Sequence, residues 1–116
     1  MIFPAFQHVR VAIRGGGDLG SGVAYRLFKA GFPVLITELA QPLLVRRTVS
    51  YGSAAIEGEI VVEGVTARRV ESVAAALASQ AAGEIPVLVD PEGESLGEYA
   101  PAVLVDARML KCDLGP

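Results

Sequence analysis

The sequence predicts an α/β fold built on an open, mostly parallel sheet with helices on both faces. A strand, a glycine turn, a helix and a second strand follow one another within the first forty residues. A second helical pattern comes later, and two runs, 86–90 (PVLVD) and 102–106 (AVLVD), are apolar without polar alternation. Runs of this kind are typical of parallel strands that are covered on both faces.

The first unit is the clearest part of the pattern. Residues 9–14 (VRVAIR) form a β-branched run that ends at three glycines, and residues 33–38 (PVLITE) form a second strand. Between them, apolar residues recur every three or four positions until Gly31, as in an amphipathic helix. A helix between two neighbouring strands makes a parallel crossover. The apolar stripe comprises Leu19, Val23, Ala24, Leu27 and Phe28.

For some of the later elements the sequence allows more than one assignment. Residues 42–48 fit one or two helical turns, and residues 59–68 (EIVVEGVTAR) fit either a hairpin or a single bent strand. A second helical stripe comprises Val70, Val73, Ala74, Leu77, Ala78 and Ala81 and ends at Gly83. Residues 91–101 are rich in loop signals, with at most one helical turn at 96–99.

The composition is that of one globular domain spanning residues 1–116. Of these 116 residues 52% are hydrophobic and the net charge is −3, which supplies one core and too little chain for two domains. Because Lys and Arg cluster only in pairs, we expect no nucleic-acid partner. The longest charge-free run is shorter than a membrane span, so we expect no membrane partner. A single cysteine, Cys112, and no secretory leader favour a reducing, cytoplasmic location.

A glycine motif marks the predicted ligand site. Gly15, Gly17 and Gly20 match G-x-G-x-x-G between the first strand and the helix, with Gly16 as an extra glycine. Such glycines permit a tight turn, close approach of a diphosphate and close packing of helix on strand, as in a Rossmann-like dinucleotide-binding domain. Glu38, which ends the second strand, would accept hydrogen bonds from a ribose. Alternatively, the glycines only make a tight turn.

Two residues at the start of the helix belong to the same predicted site. Leu19 opens the helix, and Asp18 lies inside the turn, where its carboxylate would repel a diphosphate. Three alternatives remain open for Asp18. It caps the helix, it pairs with Arg14, or the ligand is not an ordinary dinucleotide.

Other charged residues follow later strands. Asp90 and Asp106 end apolar runs, and ligands of parallel sheets lie beyond the carboxyl ends of strands, so both are candidate ligand contacts. The alternative is that they only terminate strands. Arg108 and Lys111 either meet an anionic ligand or are solvated, and Cys112 is either a reactive thiol or incidental.

Several separate blocks of the sequence resemble one family. They are residues 13–19 (IRGGGDL), 22–24 (GVA), 26–27 (RL), 38–39 (EL), 41–43 (QPL), 45–50 (VRRTVS), 63–65 (EGV) and 105–109 (VDARM) with Lys111. This pattern resembles the accessory proteins of selenium-dependent molybdenum hydroxylases, which are similar to the Rossmann-like part of xanthine dehydrogenase accessory proteins. Family members are more than twice this length, so the resemblance implies an N-terminal portion.

The resemblance implies a maturation factor. Its ligand would be NAD(P) or a molybdopterin-type nucleotide, and its partner would be a molybdenum hydroxylase client protein. Two alternatives use the same turn: an NAD(P)-dependent oxidoreductase and a ligand-sensing regulatory module. We also expect a homo-oligomer, because little sequence follows the run 102–106 to cover its apolar face.

Overall fold

The computed structural model describes residues 8–42, 44 and 47–108, with the side chain of residue 47 left out. The described chain alternates short strands with helices. In chain order the elements are β1 (Val11–Arg14), α1 (Asp18–Lys29), β2 (Val34–Glu38), 3-10 turns at Arg47–Val49 and Tyr51–Ser53, α2 (Ala54–Glu57), β3 (Glu59–Val62), β4 (Val65–Val70), α3 (Val73–Ala81), β5 (Ile85–Val89), α4 (Leu96–Tyr99) and β6 (Val103–Asp106).

Six strands form one sheet in the order β3-β4-β5-β2-β1-β6. β3 and β4 are antiparallel, and every other neighbouring pair is parallel. The predicted open, mostly parallel sheet is therefore confirmed. β1 has β2 on one side and β6 on the other, so the order of the strands reverses at β1. Crevices at such reversals are where open α/β sheets hold ligands.

Helices cover both faces of the sheet, as predicted. Alternate strand residues point to opposite faces because the side-chain period of a strand is two. One face packs against α1 and residues 51–55, and the other packs against α3 and α4. On the first face the buried cluster includes Ile13, Ala24, Phe28, Ile36, Tyr51, Ala54 and Val87. On the second it includes Ala12, Leu35, Val73, Ala76, Leu88 and Tyr99.

The predicted burial of the late apolar runs is correct for β5 and wrong for β6. Ile85 and Val87 of β5 are fully buried, whereas Val103 is 43% exposed and Leu104 is 52% exposed. The reason is position in the sheet. β5 lies between β4 and β2, but β6 is at the edge and pairs only with β1 within the described ranges.

Both predicted helical stripes need correction. α3 begins at Val73, because Ser72 caps the helix by accepting the N–H of Ala75, and Val70 belongs to β4. Its buried residues also differ from the predicted stripe, since Ala74 and Ala78 are exposed. In the first helix Leu19 is 61% exposed, and Gly20 and Ser21 are the buried residues of the first turn.

The ambiguous middle segment contains a hairpin. β3 and β4 pair around Glu63 and Gly64, which have φ of 54° and 76°. Two consecutive left-handed residues are typical of the tight turns that match strand twist. Of the predicted helical turns at 42–48, residues 43, 45 and 46 lie outside the described part of the chain, and a 3-10 turn begins at residue 47. None of the helices described is both long and apolar enough to span a bilayer.

Candidate functional site

A cleft lies at the carboxyl ends of four parallel strands. Its walls are the turn after β1, the end of β2, the residues after β5 and the residues after β6. Its lining residues include Arg14, Gly17, Glu38, Asp90 and Arg108. The cleft therefore lies where the sheet order and the glycine motif both predict a ligand.

Three glycines of the motif are required by the fold itself. Gly15 has φ of 102°, a backbone conformation that L side chains rarely adopt. A Cβ on Gly20 would lie 1.9 Å from the carbonyl oxygen of Gly15, and a Cβ on Gly16 would lie 2.7 Å from the Cα of Gly52. These positions make the turn and allow α1 to pack on β1, as the motif predicts.

Gly17 has no such requirement. Its φ is −77°, which any residue adopts, and the heavy atom nearest to an added Cβ is Leu44 Cδ2 at 4.0 Å. Gly17 is also the N-cap of α1, whose first N–H groups have no acceptor within the helix and whose dipole favours anions. The space in front of Gly17 is therefore cleft, beside a backbone suited to bind a phosphate.

Glu38 holds the glycine turn. Its carboxylate accepts the backbone N–H of Gly16 at 2.7 Å through Oε2 and the N–H of Leu39 at 2.8 Å through Oε1. Both oxygens of Glu38 thus already accept backbone N–H groups. A carboxylate has further lone pairs, so Glu38 can hold the turn and still accept a ligand hydroxyl.

Asp90 is hydrogen-bonded within its own loop. Its carboxylate accepts the N–H of Glu94 at 3.0 Å and the N–H of Ser95 at 2.8 Å, and it also accepts the Ser95 hydroxyl. Burial of the carboxylate raises its pKa, but these hydrogen bonds outweigh burial and leave the pKa below its usual range. Asp90 is therefore an ionised wall residue whose oxygens are already used.

Asp18 and Leu19 do not line the cleft. Asp18 accepts a hydrogen bond from the Ser50 hydroxyl at 3.3 Å and lines a separate depression near Tyr51. α1 has no side-chain cap, and Arg14 donates to the Pro91 carbonyl oxygen, so the first two alternatives for Asp18 are not observed. The carboxylate therefore does not face the space in front of Gly17.

Asp106 also lies outside the cleft wall. It is 51% exposed and pairs with the guanidinium of Arg108, whose Nε donates to Oδ1 at 2.7 Å. That hydrogen bond lowers the pKa of Asp106 to about 2. Of the strand-ending acids predicted as contacts, the structure brings Glu38 and Asp90 together with Gly15 and Gly17, and leaves Asp106 at the rim.

Residues 50–53, which sequence reasoning did not assign to the site, brace the turn from behind. The Gly52 N–H donates to the Gly16 carbonyl at 2.8 Å, and Ser21 Oγ donates to the same oxygen at 2.9 Å. Ser21 Oγ in turn accepts the N–H of Tyr51 at 2.8 Å. No local signal marks these contacts, because more than thirty positions separate Gly16 from Gly52.

Arg14 also lines the cleft, although the sequence predicts it only as a possible partner of Asp18. It is the charged last residue of an otherwise apolar strand, which is a signal visible in the sequence. Lys111 and Cys112 lie outside the described residues. Within the described ranges, no group of three or more His, Cys, Asp or Glu could hold a metal ion.

Comparison with known proteins identifies a longer, uncharacterized relative. It is 47% identical over 108 residues to the uncharacterized protein YqeB of Escherichia coli (strain K12). The match covers 93% of this chain and 20% of YqeB, so the chain spans about a fifth of that relative. No family model matches the chain, and no solved structure matches it.

Proposed function

We propose that this chain binds a phosphate-bearing nucleotide or molybdopterin-type ligand in the cleft, with the ligand phosphate against the backbone at Gly17. The observation that carries the proposal is the contrast among the glycines. Gly15, Gly16 and Gly20 are needed for the fold, whereas a Cβ added to Gly17 would meet no heavy atom closer than 4.0 Å. A glycine without a packing role at a helix start, in a cleft wall, is explained by close approach of a ligand.

The biological role proposed is that of an accessory protein that assists the maturation of a molybdenum hydroxylase in the cytoplasm. The support is the resemblance of the blocks around the glycine turn, Glu38 and residues 105–109 to that accessory family. The reversal of the strand order at β1 also agrees with a Rossmann-like arrangement. Because the chain spans about a fifth of its relative YqeB, client binding is proposed for the longer protein.

The acids of the cleft favour binding over catalysis. General acid-base chemistry at neutral pH needs a group whose pKa lies near 7. Of the described acids in the wall, Glu38 is hydrogen-bonded to the turn and Asp90 has a lowered pKa. An NAD(P)-dependent oxidoreductase would need a proton donor that the described wall does not offer, since Tyr, Lys, His and Cys are not among its residues.

Calorimetric titration of NAD, NADP, ATP and a molybdopterin dinucleotide tests the proposal. We expect Gly17→Val to abolish binding of the ligand that binds wild type, while the variant stays folded, because the side chain occupies the phosphate position. The matched control is Gly22→Ala in the same helix, where an added Cβ meets nothing within 4 Å. If none of the four binds wild type, or if Gly17→Val binds as well as wild type, the glycines are structural only.

The apolar edge of the sheet supports a homo-oligomer as a further part of the proposal. Val103 and Leu104 are 43% and 52% exposed on a strand that pairs on one side within the described residues. A second copy that pairs along β6 would cover these side chains and the free strand edge. Light scattering at high concentration checks this, and a monodisperse monomer would contradict it.

A further inference from the structure

Arg14 places a positive charge at the end of a buried strand. The three residues before it in β1, Val11, Ala12 and Ile13, are at most 1% exposed. Arg14 follows as the last residue of the strand and is itself partly buried. A charged side chain at such a position is costly unless its N–H groups find acceptors. The partners of this guanidinium therefore show what the site requires.

The protein satisfies Arg14 only in part. Its Nη2 donates to the Pro91 carbonyl oxygen at 3.1 Å, and the guanidinium lies close to Gly93, 3.2 Å from where a Cβ there would be. Its Nε is buried and has no hydrogen-bond partner. Among the described carboxylates none forms a salt bridge with Arg14. A charged group with an unsatisfied donor thus lies in the cleft wall.

The nearby acids have hydrogen-bond partners other than Arg14. Glu38 accepts the N–H groups of Gly16 and Leu39, and Asp90 accepts those of Glu94 and Ser95. Asp106 pairs with Arg108. Glu38 and Asp90 are thus hydrogen-bonded to backbone N–H groups, and no described carboxylate forms a salt bridge with Arg14, although its charge helps to lower the pKa of Asp106.

The Arg14 guanidinium and Gly17 have different neighbours in the cleft wall. The Arg14 side chain reaches Pro91, which follows β5, and β2 lies between β1 and β5 in the sheet. Gly17 instead caps α1, and Leu44 is the side chain nearest to a Cβ added there. A ligand phosphate on the backbone at Gly17 would therefore leave Arg14 for another group.

We propose that Arg14 binds a second oxyanion of the ligand, a phosphate or a carboxylate, beside the loop that follows β5. The inference rests on the proposed function, because it places this oxyanion in the same cleft, and it defines the ligand as one with two anionic groups. Oxyanions are the acceptors that match the planar fork of a guanidinium. Arg14 lines the cleft and forms no salt bridge with a described carboxylate, and such a group would supply an acceptor for its guanidinium.

The test uses inorganic pyrophosphate and malonate as probes, which separate a phosphate from a carboxylate preference. Each is titrated calorimetrically into wild type, Arg14→Gln, Arg14→Lys and the control Arg26→Gln. Arg26 is exposed on α1, so its replacement changes the net charge equally away from the cleft. We expect wild type to bind at least one probe, Arg14→Gln to bind it about tenfold or more weakly, and Arg26→Gln to match wild type.

Arg14→Lys keeps the positive charge but loses the fork, so we expect an affinity between those of wild type and Arg14→Gln. Thermal unfolding of each variant checks folding, and the lysine variant decides if the glutamine variant does not fold. The inference is overturned if wild type binds neither probe, or if the folded Arg14 variants bind as wild type does. Titration of ATP into Gly17→Val in parallel separates the two proposals. Loss of ATP binding there, with probe binding independent of Arg14, would leave the glycine site standing alone.

Discussion

Two turns at the carboxyl ends of buried strands wall the same cleft, and their backbones are stabilised in opposite ways. In the turn after β5, Asp90 accepts the N–H groups of Glu94 and Ser95 from its own loop. In the turn after β1, the Gly16 N–H is held by Glu38 from the neighbouring strand. A turn whose N–H groups donate to a side chain of the same turn satisfies its own donors. A turn held by a side chain of the neighbouring strand can leave part of its own backbone free for a ligand, and Gly17 lies in that part.

The largest expected effect breaks the glycine turn. In Gly20→Ala the added Cβ would lie 1.9 Å from the carbonyl oxygen of Gly15, so α1 must move away from β1. We expect the free energy of unfolding to fall by about 3 kcal/mol or more, at the upper end of overpacking effects. Urea denaturation measures this, and a loss below about 1 kcal/mol would show that the turn can adapt.

Gly22→Ala is the matched control two residues further along α1. Nothing lies within 4 Å of its added Cβ, and the position is exposed in the helix interior. We expect the free energy of unfolding to rise by up to about 1 kcal/mol, because alanine favours the helix over glycine. Opposite signs for the two substitutions would show that close packing on Gly15, and not helix propensity, sets the requirement at Gly20.

The next largest effect removes the support that β2 gives to the glycine turn. Glu38→Ala leaves the Gly16 N–H without its acceptor at 2.7 Å, so we expect a loss of about 2 kcal/mol in the free energy of unfolding. Glu38→Gln retains one acceptor oxygen and should recover part of that loss. Denaturation of both variants gives the comparison, and a glutamine variant no more stable than the alanine variant would show that the negative charge itself is needed.

The first half of the fold and the core of the site could be predicted because their signals are local. The spacing of Gly15, Gly17 and Gly20, and the strand that ends at Glu38, depend on short stretches of sequence, and the structure places three of these four in the wall of one cleft. The requirement for glycine at Gly20 follows from its contact with Gly15.

The predictions fail where burial depends on long-range contacts or where the composition of a helix is uniform. β6 has the same apolar sequence character as β5, but its exposure depends on its place at the edge, which only the strand order reveals. The sequence does not predict which side of α3 is buried, since alanines occupy both its buried and exposed positions. The bracing of Gly16 by Gly52 likewise depends on a contact between distant parts of the chain.

Asp90→Asn tests the self-closed turn and adds a pH dependence. The folded-state pKa of Asp90 is below its usual range, so its carboxylate contributes stability above the unfolded value of about 3.9. That contribution is lost as the pH falls through the folded pKa. We expect Asp90→Asn to lose about 1.5 kcal/mol of unfolding free energy at pH 6. The difference from wild type should shrink below about pH 4. Denaturation curves between about pH 6 and 2.5 measure it, and a difference that stays constant would contradict ionisation as the cause.

The smallest expected effect is at Asp106, the third acid that ends a strand at this side of the sheet. Its carboxylate binds Arg108 two residues away rather than a backbone turn, and its side chain is 51% exposed. Exposed ion pairs contribute little because water screens the charges and two side chains must be ordered. Asp106→Asn should therefore change the free energy of unfolding by no more than about 0.5 kcal/mol, and added salt should reduce the change further. Denaturation of this variant beside Asp90→Asn compares the two acids directly. A loss as large as that of Asp90→Asn would mean that Asp106 fixes the chain after β6, in the way that Asp90 fixes the loop after β5.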